Sequence, residues 1–139
     1  MATQLDSSVV ETIWHGEETL AILIRASMVP SQTEFVTPPD LTMQVGFVVY
    51  PKGGEIPRHC HVPVARHLTQ TSEVLIVKKG AADVDIYSEQ KERVATRRLV
   101  VGDTIIFVAG GHGFRMQADT IFLEVKQGPY IGIDEKEHF

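Results

Sequence analysis

Cysteine is almost absent from this chain of 139 residues, where Cys60 stands alone. A single thiol cannot form an internal disulfide, so a reducing, cytoplasmic compartment is expected. Charge of one sign is scarce too. Charged residues make up 22% of the chain and the net charge is −5. That balance lacks the clustered basic face that nucleic-acid binding requires. The nearest approach, Lys91, Arg93, Arg97 and Arg98, is diluted by Glu89 and Glu92 and reads as a solvated hairpin face. No apolar run is long enough to cross a bilayer, and no basic-then-apolar leader is visible, so no membrane role is expected. A nucleophile elbow, a phosphate-binding glycine loop, a dinucleotide fingerprint and a paired-cysteine zinc knuckle are all missing.

A helical period is missing as well, and what fills the chain instead is short β-rich runs separated by turn residues. Strands are predicted at 9–14 and 19–26, with a short one near Phe35, then at 41–50, 56–61, 73–78, 82–87, 93–100, 104–108, 113–117 and 120–126. Glycines and prolines punctuate them, among them Gly53-Gly54, Gly80, Gly102 and Gly110-Gly111. About ten strands at this spacing predict an all-β sandwich or barrel in one domain spanning 1–139. A chain of this length can bury a real core. The tail, 127–139, reads as irregular.

The chemistry-bearing stretch is Gly53-Gly54-Glu55-Ile56-Pro57-Arg58-His59-Cys60-His61. On an extended strand alternate side chains share a face, which puts His59 and His61 on one side, about 6–7 Å apart. Two neutral imidazoles so placed can share an ion. Cys60 would point the other way, as a small buried residue. Glu73 opens an apolar strand, where an inward, unpaired carboxylate is costly and a cation partner is favoured. His112 follows two glycines, and Phe114 and Met116 share its face if the strand continues. They would then line an apolar pocket for a small molecule. His15 and His138 carry no assigned role.

These residues resemble the motifs of the cupin superfamily. Gly53, His59 and His61 fit the first half of its first motif. Glu73, followed by six residues and Gly80, fits the second half. Gly102, the run 104–107, Gly110 and His112 fit the second motif. The resemblance covers about 41–126, with strands 9–26 outside it. Two departures stand out: the spacer 62–72 is longer than in the family, and Val108 stands where the second motif has proline. The long spacer leaves His67 as an alternative third ligand to Glu73. The segment Glu124-Val125-Lys126-Gln127-Gly128-Pro129-Tyr130 is similar to the tails of short, single-domain bacterial cupins found beside surface-sugar biosynthesis enzymes.

The resemblance implies a double-stranded β-helix, or jelly-roll barrel, in which His59, His61, Glu73 and His112 hold one divalent first-row ion. Iron, manganese, nickel, cobalt and zinc all suit that mixed nitrogen and oxygen set. It further implies a small polar ligand of carbohydrate-related type, and isomerase, epimerase or dioxygenase chemistry. Two alternatives stay open: a non-catalytic sugar- or metabolite-binding module, and a metal-free sugar-nucleotide isomerase in which a histidine such as His61 serves as general base. The strands of 9–26 are expected to extend a sheet toward a second subunit, giving a homodimer.

Overall fold

The computed structural model describes residues 8–132 and 135–139. Ten strands run through them, and none of these residues is α-helical. They are β1 (Val10–His15), β2 (Glu18–Ile24), β3 (Glu34–Phe35), β4 (Gly46–Phe47), β5 (Glu73–Lys79), β6 (Ala81–Tyr87), β7 (Arg93–Val100), β8 (Thr104–Phe107), β9 (Gly111–Met116) and β10 (Ile121–Lys126). Every pairing among them is antiparallel. No described helix is long and apolar enough to cross a membrane.

The chain divides into two compact units, one of residues up to Met28 with Thr71–Phe139, the other of Val29–Gln70. The first holds a five-stranded sheet, ordered β1-β2-β8-β5-β10, and a three-stranded sheet, ordered β7-β6-β9. Neither sheet closes on itself among the described residues. The two sheets share one core. Ile13, Ala21, Leu23, Leu75, Val77, Ile105 and Phe107 come from the larger sheet, and Val84, Ile86 and Leu99 from the smaller. Alternation explains the membership: in β5, β6 and β8 every second residue is in the cluster. Each buried Leu, Ile or Val contributes about 1.5–3 kcal/mol relative to exposure.

Glycine makes two of the turns possible. Gly80, between β5 and β6, has φ +81°, and a Cβ there would strike the Asp119 carbonyl. Gly110, at the mouth of β9, has φ +71° and lies against the Tyr87 carbonyl. Both conformations are open to glycine and strained for other residues. Asp103 pins another corner. Its buried carboxylate accepts hydrogen bonds from the Ala26 and Val100 amides, at 2.9 and 3.0 Å, and from the Arg25 guanidinium at 2.9 Å.

On the outer face of the smaller sheet, Asp83 pairs with Arg98, and Asp85 pairs with Arg115 and accepts from Thr96. Arg97 meets Glu11 at 2.7 Å. The basic residues expected on a solvated face are therefore largely neutralised by carboxylates.

In the unit Val29–Gln70, the ladder is short: β3 and β4 pair through Glu34↔Phe47 and Phe35↔Gly46. Thr37 ties the same segment by accepting from the Val45 amide at 3.0 Å. The strands expected over 41–50 and 56–61 are corrected here. Only Gly46–Phe47 of the first is in a ladder, and none of the second is. Pro57 lacks the amide that a ladder needs, as does Pro63 just beyond. Cys60, expected to be buried, is exposed.

Candidate functional site

Strand parity builds the site in the first unit. Glu73 precedes Leu75 and Val77 by two and four residues, so it faces the core side of the large sheet. Its ladder neighbours are Phe107 on β8 and Lys126 on β10. His112 pairs with Ile86, and Phe114 with Val84, so both face the core side of the small sheet. β9 and β10 are the edge strands of their respective sheets. Phe122, Glu124 and Lys126 of β10 pair with Val77, Leu75 and Glu73.

Across this seam lies a cavity of about 520 Å³. Glu73, Leu75, His112, Phe114, Met116, Phe122, Glu124 and Lys126 line it, and residues 135–139 complete its wall. Its volume falls in the range of small-molecule sites. One end is aromatic, with Phe114 and Phe122 at 5.0 Å between centroids. The other is polar.

At the polar end Glu73 Oε2 and His112 Nε2 stand 3.1 Å apart, bridging the two sheets. The His112 ring lies flat on Phe107, with centroids 3.7 Å apart and planes 11° from parallel. Phe114 meets that imidazole edge-on at 5.9 Å. Lys126 Nζ is 3.9 Å from the other Glu73 oxygen and 4.0 Å from Glu124. The hydrogen bond from His112 holds the Glu73 carboxyl below its ordinary value. Burial works against that shift, and the charges of Lys126 and Lys136 add to it.

His59 and His61 lie in the unit Val29–Gln70, exposed and outside any strand. Their rings are 5.4 Å apart, at 72°. His59 Nδ1–H donates to the Pro57 carbonyl at 2.8 Å, which fixes the ring's orientation. His67, the alternative ligand, is exposed in the same unit. Within either unit no three described His, Cys, Asp or Glu side chains are grouped to hold an ion.

Thus Glu73, His112, Phe114 and Met116 share one cavity, and His59 and His61 form a pair of their own. Leu75 and Phe122 have no assignment from the sequence, and Glu124 and Lys126 enter there only in a tail-like segment, although residues 122, 124 and 126 alternate along β10. His15 ends β1, paired with Glu18. Comparison with family models, curated proteins and solved structures finds no match to this chain.

Proposed function

We propose that this chain is a cupin-type, metal-dependent protein that binds a small polar metabolite in the cavity between β9 and β10. The observation that carries the reading is the 3.1 Å approach of the Glu73 carboxylate to the His112 imidazole at the cavity's polar end. Two donors bound to one first-row ion, each at about 2 Å, lie roughly 3 Å apart. The pair therefore fits two neighbouring ligand positions as well as it fits a hydrogen bond. His59 and His61 pass a similar test on their own, since imidazoles sharing an ion have ring centres on the order of 5 Å apart. The oxygen and nitrogen donors suit iron, manganese, nickel, cobalt or zinc.

Such an ion supplies Lewis-acid or dioxygen-binding chemistry, of the kind used by isomerases, epimerases and dioxygenases. Glu73 and His112 would hold it, with the Phe107 ring stacked against the imidazole. Phe114, Phe122 and Leu75 offer an apolar wall, against which the carbon face of a sugar-like ligand rests. Lys126 and Glu124 offer one donor group and one acceptor for its hydroxyls. A homodimer belongs to the same reading, supported by Ile121, Leu123 and Val125, exposed along the edge strand β10. A monomeric mass at micromolar concentration removes that part.

Elemental analysis and ion titration of the purified chain test the reading. Glu73→Gln and His112→Ala are expected to weaken ion binding at least about 100-fold, with the β-sheet spectrum retained. Unchanged ion binding in both variants rejects it. A second reading has its own support: a carboxylate that orients an imidazole also makes a metal-free general acid–base pair. Ligand turnover that survives complete chelation, yet is lost in His112→Ala, selects that alternative.

A further inference from the structure

The cavity wall formed by residues 135–139 is attached to the sandwich differently from the rest. No ladder holds it. Glu137 Oε1 instead accepts from Lys91 Nζ at 2.5 Å, in the turn between β6 and β7, with both side chains largely exposed. The Phe139 ring stands edge-on to Tyr87, with centroids 5.1 Å apart at 89°, and Lys91 Nζ lies 5.6 Å from the same ring. Beneath it is Gly111, where a Cβ would come within 2.9 Å of the ring. The missing side chain is what lets Phe139 settle beside His112's own strand. Phe139 nevertheless remains 64% exposed.

We propose that residues 135–139 form a releasable strap over the cavity, and that its lifting widens the way to Glu73 and His112. Its anchors are of the weak, exposed kind: an ion pair in water, one aromatic edge contact and a cation over a ring. Contacts of this sort open locally while the core stays folded. When the strap lifts, the cavity opens toward Glu73 and His112. The inference rests on the same cavity as the proposed function, but not on an ion or metabolite being bound there.

The test measures access to His112 directly. The full chain, in chelator and without added ligand, is treated with diethylpyrocarbonate, and carbethoxylation of each histidine is followed by peptide mass spectrometry. With the strap in place the His112 side chain is 29% exposed, so its reaction should be slow. Phe139→Ala and Lys91→Glu should each speed it about fivefold, with His59 and His61 unchanged as internal references. The charge swap Lys91→Glu with Glu137→Lys should return the rate close to that of the wild type. Equal His112 rates in the wild type and both single variants overturn the strap. A swap variant as reactive as Lys91→Glu overturns it too, because the effect would not then run through Glu137. Ion titration of the same variants is independent, so failure of the strap and failure of the metal reading are told apart.

Discussion

Phe107 lies directly beneath His112, ring on ring, and is at the same time the ladder neighbour of Glu73. One buried side chain thus supports both members of the pair, from the floor of the five-stranded sheet.

Replacing that floor should therefore disturb the site more than the core. Phe107→Leu keeps most of the volume and is expected to cost about 1–2 kcal/mol of stability. It removes the flat surface under the imidazole, and ion affinity should fall about tenfold, as for loss of an orienting partner. Urea denaturation and ion titration give the two numbers. A stability loss with no change in affinity would show that the stack only packs.

Glu73 predicts a pH dependence. Its ordinary carboxyl value is 4.5, and the His112 hydrogen bond holds it lower in the folded protein. A depressed folded value means that ionised Glu73 adds stability fully above the unfolded value, and this is lost as pH falls through the folded one. In ion-free buffer, the stability gap between the wild type and Glu73→Gln should shrink as pH falls below about 5. A gap that stays constant down to about pH 3 contradicts the assignment.

Asp103 gives a prediction about the scaffold alone. Its carboxylate is buried and gathers two amides and a guanidinium. Asp103→Ala leaves those donors without their acceptor and should cost about 3 kcal/mol in urea denaturation. A loss under about 1 kcal/mol would mean that water replaces the carboxylate freely.

Strands were legible where local pattern and partner agree. Val74 to Val77 and Thr104 to Phe107 are β-branched, aliphatic or aromatic runs bounded by Gly80, Gly102 and Gly110, and they form β5 and β8 close to where expected. The run 41–50 has the same composition, yet only Gly46–Phe47 pairs. Propensity reports what a residue tolerates; a ladder needs a neighbour with free amides and carbonyls. Pro57 and Pro63 carried that warning at the histidine stretch. β9 begins at Gly111 rather than Gly113, because Gly111↔Tyr87 and His112↔Ile86 extend the ladder past the glycines. Glu73 and His112 are singled out by their resemblance to cupin motifs, and the face of Phe114 and Met116 by strand parity. The β10 wall and the strap are not. They depend on which strands end up at sheet edges, and a linear chain does not state that.

The position of β2 carries a last consequence. Leu20 to Ile24 are all buried, and the strand sits inside the large sheet with β8 hydrogen-bonded along its flank. The motif-like stretch beginning at residue 41 omits it, so trimming the chain to that stretch would amputate an interior plank. It would leave β8 with a bare, aliphatic border. Such a fragment should stick to itself and precipitate, so expression work on this protein needs β1 and β2 left in place.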